Sequence, residues 1–401
     1  METEEKINQK YLKKKWFIAF IGFLSAFVPM STDLYLPALP DMVKTFHTNV
    51  AFLNLTITLF FVFYAVGMLI WGPLSDKHGR KNILLVGMGF YLVGSILCAF
   101  AVNVPMLIGF RIIQAIGSGA AVSVATAMMK DVYTGKKLVA MLATVQSIAM
   151  TSPVISPFVG SLILKYTSWR GIFVILTIVS IIAFIGGMLL TETLEVKSTG
   201  NVIEVFSKLH VVLKNPAFTL LMFVFALISL PLMAYITMSS YIYITGFGLS
   251  EEHYSYFFAI GGIFLVMGPM LYIKLAKKFK PNNIIIALFI IVIISGVCVA
   301  LFGEKSPVIL IVTIVPALMF GNMLRPPGTH ICLAQQDDNI GSASSLVSFT
   351  NTMIGSIGMI IITLNFGSKI LNIGIMYILV GILGLILWLI FHKKSFIRQA
   401  K

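Results

Sequence analysis

The segment "GPLSDKHGRKNILL", residues 72–85, separates two long apolar runs of the chain. The earlier run begins near residue 51, and the later run extends to about residue 101. Each run has about 20 residues, which lets a helix cross a hydrocarbon core about 30 Å thick. Three lysine or arginine residues stand between the runs, at positions 77–81. The segment is therefore predicted to be a short basic loop between two membrane-spanning helices.

Long apolar runs and short polar connections alternate along all 401 residues. Hydrophobic residues make up 58% of the chain and charged residues only 11%, about half of the charged fraction that soluble proteins carry. An outer-membrane barrel is excluded, because its strands alternate apolar and polar residues over about ten positions. The sequence predicts an all-α membrane protein with twelve transmembrane helices. The predicted spans are residues 16–39, 51–73, 81–101, 104–128, 138–164, 169–190, 216–245, 253–275, 282–303, 306–330, 340–366 and 370–392.

The longest polar connection falls between the sixth and seventh spans. It predicts an N-terminal six-helix bundle of residues 1–190, a cytoplasmic linker of residues 191–215 with a short amphipathic helix, and a C-terminal six-helix bundle of residues 216–401. A Gly-Pro pair followed by a basic cluster and a new apolar run occurs at residues 72–73 and again at 268–269. These two positions are six spans apart, as a duplicated six-helix unit would place them.

The distribution of lysine and arginine predicts the orientation of the spans. With the N-terminus inside, the cytoplasmic segments hold 22 of these residues and the outer segments hold five. Cytoplasmic loops carry this excess in membrane proteins, so we expect a multi-pass protein of the cytoplasmic membrane with both termini in the cytoplasm. The net charge of +14 is explained by this topology, and binding to nucleic acid is not predicted.

Four segments together resemble a known transporter family. The loop "GPLSDKHGRK" (72–81) is similar to the signature of the major facilitator superfamily, and "RIIQAIGSGA" (111–120) and "SPVISPFVG" (152–160) resemble helix patterns of its drug:proton antiporters. The stretch "STDLYLPALP" (31–40) is similar to the first helix of the Bcr/CflA group of multidrug exporters. The resemblance implies the major facilitator fold, with two pseudo-symmetric bundles that together alternate the access to one transport path.

Asp33 is the only acidic residue that lies well inside a predicted span. A carboxylate in hydrocarbon costs roughly 2.5–3.5 kcal/mol, so we expect Asp33 to face a wet passage between helices. Burial favours the neutral form of a carboxyl group, which predicts that Asp33 exchanges a proton during transport. Pro29, Pro37 and Pro40 loosen the same helix, and Pro40 is a candidate for its end. The alternative is a structural acid near the outer mouth.

Arg111 is a permanently charged group inside the fourth span. A guanidinium does not lose its proton and needs a partner, and Asp33 is the deep acid available to it. We predict a pair between Arg111 and Asp33 that opens when Asp33 takes up a proton, with Gln114 as a further contact. The alternative is an arginine that snorkels to the outer interface.

Two segments are candidates for the conformational switch. In the 72–81 loop, Gly79 permits a tight turn, Asp76 suits a helix N-terminus, and family resemblance implies a latch to the start of the eleventh span. The alternative is a loop that serves only the positive-inside rule. Pro153 and Pro157 share one helix face, which with Gly160 predicts a sliding contact between the two halves. The predicted switch residues are Gly72, Asp76, Gly79, Arg80, Lys81, Pro153, Pro157 and Gly160.

Aromatic and methionine side chains near Asp33 and in the seventh span are candidates for substrate binding, because such surfaces adapt to varied apolar ligands. Packing between helices and lipid explains the same residues equally well. The predicted lining residues are Phe27, Met30, Tyr35, Gln114, Tyr235, Met238 and Tyr241.

The sequence predicts a secondary exporter that exchanges lipophilic or cationic drugs for protons. There is no P-loop, the three cysteines and six histidines are scattered, and no catalytic constellation occurs. We therefore expect no enzyme activity, cofactor or metal site, and a monomer whose partners are small lipophilic substrates, protons and membrane lipids. The alternatives are a proton-coupled or facilitative importer of a small metabolite and a membrane sensor without transport.

Overall fold

The computed structural model describes residues 13–195, 202–364, 367–392 and 394, and those residues form helices, turns and loops without strands. The predicted all-α fold is confirmed. Eleven helices in this part of the chain are long and apolar enough to cross a membrane, and a bent helix pair at the start supplies a twelfth span. The chain divides into two compact units between residues 202 and 203, called here the N-terminal and C-terminal units.

The N-terminal unit contains the first six spans. Its helices are α1 (Lys14–Ser25), α2 (Phe27–Asp33), α3 (Leu39–Thr45), α4 (Val50–His78), α5 (Arg80–Ala99), α6 (Val104–Val132), α7 (Gly135–Tyr166) and α8 (Trp169–Met188). The most extensive packing joins α4 and α5 to α6. A Cβ atom at Gly117 of α6 would lie 2.4 Å from the backbone nitrogen of Tyr91 in α5. Small residues therefore allow these helices to pack closely. Close packing matters in a membrane because the hydrophobic effect does not drive helices together in lipid.

The C-terminal unit contains the last six spans. Its helices are α9 (Val202–Leu213), α10 (Pro216–Ala226), α11 (Ser229–Ser240), α12 (Glu251–Leu275), α13 (Pro281–Phe302), α14 (Pro307–Met323), α15 (Arg325–Leu333), α16 (Ile340–Thr363) and α17 (Lys369–Phe391), with a π-helix at Tyr241–Gly246. Helices α10 and α11 with the π-helix form one span, and α14 with α15 forms another. Close packing occurs here too, because a Cβ at Gly268 of α12 would lie 2.2 Å from the carbonyl oxygen of Met319.

Helix α9 lies in the predicted linker, and its first residue ends the N-terminal unit. Leu209 and Val212 are buried whereas Val211 is exposed, so the helix has one buried side. The Gln336 side chain donates to the carbonyl of Val212 at 3.2 Å, which fastens the end of α9 to the C-terminal unit. The start of the linker at 196–201 and both chain termini lie outside the described residues.

Prolines explain the broken course of the first span. Pro29 cannot donate a hydrogen bond to the carbonyl of residue 25, and α1 ends at Ser25, where the chain bends by 43°. Pro37 likewise cannot donate to the carbonyl of Asp33, the last residue of α2. The prediction that the span ends near Pro40 is wrong, because Pro40 lies in the first turn of α3. Proline is tolerated there, since first-turn N–H groups have no helical acceptor.

Candidate functional site

Asp33 lies at the broken end of α2 and is only 5% exposed. The Thr32 hydroxyl donates to its carboxyl oxygen Oδ1 at 3.1 Å. No ion pair reaches the Asp33 carboxyl from the described residues. Because Pro37 has no N–H, the Asp33 carbonyl lacks its regular helical donor, and this break in the helical hydrogen bonding coincides with a buried carboxyl group. Irregular backbone at membrane depth is tolerated where it is buried in protein or lines water.

Arg111 of α6 is fully buried in the same unit. Its Nη1 donates to the backbone carbonyl of Ser31 at 2.9 Å and to Oε1 of Gln114 at 2.9 Å. Its Nε donates to the carbonyl of Thr56 at 3.4 Å. The guanidinium therefore connects α6 to α2 and α4 through backbone acceptors, and the alternative of a snorkelling arginine is wrong.

Three aromatic rings surround the Arg111 guanidinium. Its central carbon lies 4.3 Å from the ring centroid of Phe60, 5.0 Å from that of Tyr35 and 5.9 Å from that of Phe173. Rings at these distances attract a cation through their negative faces, more strongly when water is excluded. These rings and the three hydrogen bonds explain how a permanent charge is kept inside the bundle.

Hydrogen bonds extend from Arg111 through α5. Gln114 donates through Nε2 to the Ser95 hydroxyl at 2.8 Å, and that hydroxyl donates to the carbonyl of Tyr91 at 2.8 Å. The Tyr91 hydroxyl in turn shares a hydrogen bond with the Ser31 hydroxyl. The network returns to α2, so it fixes Ser31 through both its carbonyl and its side chain.

The predicted ion pair between Arg111 and Asp33 is not formed in this structure, and it stays a prediction for the deprotonated state of Asp33. No ion pair joins the two residues in the described part of the chain, and Arg111 uses the carbonyl of Ser31, one helical step before Thr32, instead. The physical reason is that uncharged acceptors and rings already stabilise the cation. In the described structure, the guanidinium nitrogen Nη2 is buried without a hydrogen-bond partner, so Arg111 retains an unused donor.

A second polar cluster lies where α4 meets α5. The predicted basic loop is reduced to Gly79, because α4 continues to His78 and α5 begins at Arg80. Arg80 is buried and forms ion pairs with Asp76 and Asp131, the latter at 2.9 Å from Nε. Its Nη1 also donates to the Ser75 hydroxyl at 2.7 Å. The Thr193 hydroxyl donates to the same Asp131 carboxyl at 3.1 Å. Arg80 therefore joins the end of α4 to α6 and to the segment after α8.

Glu192 caps the first turn of α5. Its carboxyl oxygens accept from the backbone N–H of Arg80 at 2.9 Å and of Lys81 at 3.2 Å. Gly79 precedes them with φ of 100°, and a Cβ there would lie 2.5 Å from Oε2 of Glu192. Glycine is required at this position for both reasons. The Lys81 ammonium donates to the carbonyl of Met188 at 2.8 Å.

Sequence reasoning missed Asp131 and Glu192 as members of this cluster. Each follows a predicted span whose end lies, by the lysine and arginine distribution, on the same side of the membrane as Arg80. This shared side is the signal that could have indicated them. The expected role of Asp76 at a helix N-terminus differs from what is found within this unit, because Asp76 pairs with Arg80 and Glu192 provides the cap.

Gly160 of α7 approaches the broken first span closely. A Cβ at this position would lie 2.3 Å from the carbonyl oxygen of Leu34, the residue after Asp33. The close neighbour of Gly160 is therefore in its own unit, and the expected sliding contact between the two halves stays a prediction. Pro153 and Pro157 both lie inside α7, and Pro157 is buried whereas Pro153 is half-buried. Gly72 has open space around its Cα within the described structure.

The predicted lining residues occupy different surroundings. Phe27 packs edge-on against Tyr91 in the core of the N-terminal unit, with ring centroids 4.8 Å apart. Tyr35 covers Arg111 and shares a hydrogen bond with the Thr56 hydroxyl at 3.2 Å, and Met30 is half-buried. In the C-terminal unit, the remaining three are buried: Tyr235, Met238 and Tyr241. Their contact with a substrate stays a prediction. The described residues contain no group of side chains suited to a metal ion.

The twelve spans, the two units and the buried polar site define a multi-pass membrane transporter and not an enzyme. The chain belongs to the Major Facilitator Superfamily, whose family model matches residues 19–359. It is 25% identical over 356 residues to the "Uncharacterized MFS-type transporter YdgK" of Bacillus subtilis, covering 86% of this chain and 88% of that one.

Two further comparisons agree with this family. A "Bicyclomycin resistance protein homolog" of Haemophilus influenzae is 25% identical over 292 residues, which cover 70% of this chain and 71% of that protein. The solved structure of the xylose transporter XylE from E. coli has a TM-score of 0.74 with 13% sequence identity, over 96% of this chain and 98% of that one. That likeness concerns the fold alone.

Proposed function

We propose that this transporter is a proton-coupled exporter of lipophilic or cationic drugs in the cytoplasmic membrane. The sequence similarity to a bicyclomycin resistance protein homolog supports a drug as cargo, as do the three motifs at residues 31–40, 111–120 and 152–160. The excess of lysine and arginine in alternate loops supports cytoplasmic termini. The chain acts as a monomer in which the two units alternate access to the transport path.

The observation that carries this proposal is the position of Asp33. Its carboxyl group is buried at a break in a membrane-spanning helix, and a single side-chain hydrogen bond, from Thr32, reaches it within the described structure. A carboxylate at membrane depth is costly, and acids at such places mark ion and proton pathways. Asp33 therefore carries the exchanged proton.

Arg111 provides the response to that proton. We assign the observed contacts of Arg111 with the Ser31 carbonyl and the Gln114 side chain to the state in which Asp33 is neutral. When Asp33 loses its proton, the new carboxylate attracts the unpartnered Nη2 of Arg111. The guanidinium then exchanges a backbone acceptor for an ionic one, which repositions α2 against α6. The predicted Asp33–Arg111 pair thus belongs to the deprotonated state.

The charge of the cargo sets the energy available to the exchange. One charge crossing 100 mV is worth about 2.3 kcal/mol, which is available when one proton is exchanged for a neutral drug. A monovalent cation cancels this contribution, and its export depends on the pH gradient alone. The Arg80 cluster serves as the switch at the basic end of the N-terminal unit, because it joins three spans through one side chain.

Ethidium uptake into proteoliposomes with an acidic lumen tests the proposal. We expect wild-type protein to accumulate ethidium as protons leave and Asp33→Asn to lose the part that depends on the gradient. Asp41→Asn is the matched control, because Asp41 is exposed in the same span, and it should behave as wild type. Ethidium flux that ignores the pH gradient in wild-type protein would refute coupled export, and uptake of the dye by whole cells would favour the importer.

A further inference from the structure

A second basic segment follows α12, where the Gly-Pro pattern of the sequence is repeated. Four of the seven residues from 274 to 280 are lysines, and all four are exposed: Lys274, Lys277, Lys278 and Lys280. These four residues are called here the lysine patch. Because cytoplasmic loops carry the excess of lysine and arginine in membrane proteins, we expect the patch at the cytoplasmic end of its span.

No ion pair involves the lysine patch in the part of the chain that the structure describes. Backbone hydrogen bonds hold the segment in a turn, because the N–H groups of Lys278 and Phe279 both donate to the carbonyl of Leu275 at 2.9 Å. Helix α13 follows without an acidic residue in its first turn. Like charges repel one another over about 10 Å at 0.1 M salt, so this turn favours an anion from outside the chain.

The corresponding segment of the N-terminal unit is neutralised within the protein. There, Arg80 forms ion pairs with Asp76 and Asp131. Asp76 stands four residues after the glycine of the Gly-Pro pattern, and Tyr272 occupies that place in the C-terminal unit. The repeat has therefore kept the basic residues without this acid, and internal pairing, which explains Arg80, does not explain the lysine patch.

The lysine patch stands on a fixed part of the C-terminal unit. The indole Nε1 of Trp388 donates to Oδ1 of Asn282 at 2.8 Å, and the Trp388 ring packs on Phe225 with centroids 5.5 Å apart. This hydrogen bond fastens the start of α13, two residues after Lys280, to the last turn of α17. Lys394 follows α17 and is also exposed, so it adds a basic side chain at the same end of the unit.

An exposed aromatic ring lies within the lysine patch. Phe279 stands between Lys278 and Lys280 and is 56% exposed. The positive-inside rule accounts for lysines at this place but not for a phenylalanine among them. A free phosphate ion would leave the ring in water, whereas a lipid brings an anionic headgroup and apolar chains together. Basic and aromatic side chains are the combination that binds at the surface of an anionic membrane.

We propose that the lysine patch is a binding site for anionic phospholipids of the inner leaflet. The lipid phosphate groups contact the lysine side chains, and Phe279 packs against the acyl chains. Basic clusters next to a membrane span attract anionic headgroups. Lysine binds phosphate as a point charge, so the site selects for the charge of the headgroup and not for its shape. This lipid site does not depend on the identity of the cargo.

Lipid binding to the purified full chain in detergent, measured by native mass spectrometry, tests this site. The probes are phosphatidylglycerol, which has a net negative charge, and phosphatidylcholine with the same acyl chains and no net charge. We expect the wild-type dissociation constant for phosphatidylglycerol to be at least about tenfold below that for phosphatidylcholine. The tested variant combines four substitutions: Lys274→Gln, Lys277→Gln, Lys278→Gln and Lys280→Gln. It should raise the dissociation constant for phosphatidylglycerol at least about tenfold and change that for phosphatidylcholine by less than about twofold.

A variant with the same change of net charge is the matched control. It replaces by glutamine four exposed lysines that are scattered over the N-terminal unit: Lys13, Lys15, Lys77 and Lys130. Its dissociation constant for phosphatidylglycerol should stay within about threefold of wild type. Replacing the patch lysines by arginine should preserve binding of phosphatidylglycerol, because arginine keeps the charge.

Two further readouts separate lipid binding from other roles of the patch. Phe279→Ser should weaken the binding of both lipids by the same factor, because their acyl chains are identical. Without added lipid, the glutamine variant of the patch should melt no lower than wild type, because it loses no ion pair within the described structure.

The lipid site would be overturned by equal losses in the two glutamine variants, by equal wild-type affinity for the two lipids, or by a patch variant that melts lower without lipid. Inorganic phosphate that displaces phosphatidylglycerol more than sodium chloride does at the same ionic strength would assign the patch to a soluble anion instead. Unchanged lipid binding by Phe279→Ser would remove the acyl-chain contact on which the choice of a lipid rests.

Discussion

The guanidinium of Arg111 donates to the backbone carbonyl of Ser31 at 2.9 Å, two residues before Asp33. The side chain of Ser31 is held as well, through its hydrogen bond to Tyr91. A buried cation is therefore fastened to the same short helix that ends in a buried acid, while one of its nitrogens stays unpartnered. Under the proposed function, loss of a proton from Asp33 changes which acceptor Arg111 binds, while both acceptors lie on α2.

Replacement of Arg111 by lysine keeps the charge and removes the planar fork of donors. Lysine cannot bond Ser31 and Gln114 together while it lies under the ring of Phe60. We expect Arg111→Lys to lower the free energy of unfolding by about 1.5–3 kcal/mol, the range for a hydrogen bond to a charged group, and to reduce gradient-driven transport. Denaturant unfolding and ethidium flux measure the two effects.

Arg170→Lys is the control for this change. Arg170 is exposed and donates to the carbonyl of Ala101 at 3.0 Å, so its replacement should cost less than about 0.5 kcal/mol. Equal losses of stability in the two lysine variants would contradict the role given to the buried site.

A Cβ at Gly160 would collide with backbone that cannot move independently. The nearest atom is the carbonyl oxygen of Leu34 at 2.3 Å, so Gly160→Ala must displace the segment that carries Asp33. We expect a cost of about 1–3 kcal/mol from overpacking and a loss of drug-driven proton flux. Gly109→Ala is the matched control, because nothing lies within 4 Å of its added Cβ and alanine favours the helix by about 1 kcal/mol. Two alanine variants of equal stability would argue against the close contact.

Arg80 joins two carboxylates at the basic end of the N-terminal unit, and Arg80→Gln leaves Asp76 and Asp131 without their cation. Hydrogen bonds to charged groups contribute about 1.5–3 kcal/mol, so we expect a loss of stability in that range, measured by thermal or denaturant unfolding. Lys77→Gln, at an exposed position in the last turn of α4, should change stability by no more than about 0.5 kcal/mol. A loss of stability confined to the Lys77 variant would show that surface charge, and not the Arg80 cluster, stabilises this end of the unit.

The helical content and the number of spans could be predicted from the sequence, because hydropathy and chain length determine which segments can cross a bilayer. The tight turn at Gly79 was also predictable, because glycine readily adopts a positive φ. The structure gives this residue a φ of 100°. The end of the first span was not. Pro40 looked like a helix end, but proline is equally suited to the first turn of a new helix, and only the three-dimensional course of the chain distinguishes the two.

The partners of buried charges were the least predictable part of the site. Counting acids suggested that Arg111 needs Asp33, yet backbone carbonyls and aromatic rings provide its surroundings. Every residue has a carbonyl group, so sequence composition contains no signal for such an acceptor. Glu192 illustrates the same difficulty, because it caps a helix that begins 112 positions earlier in the chain.

The central claim is that Asp33 carries the proton that is exchanged for drug. The most direct measurement is the number of protons released when tetraphenylphosphonium binds to purified protein in weakly buffered solution. Wild-type protein should release about one proton per bound cation, since Asp33 is the single buried acid of the site, whereas Asp33→Asn should bind the cation without release. An Asp33→Asn protein that releases as many protons as wild type would contradict the claim.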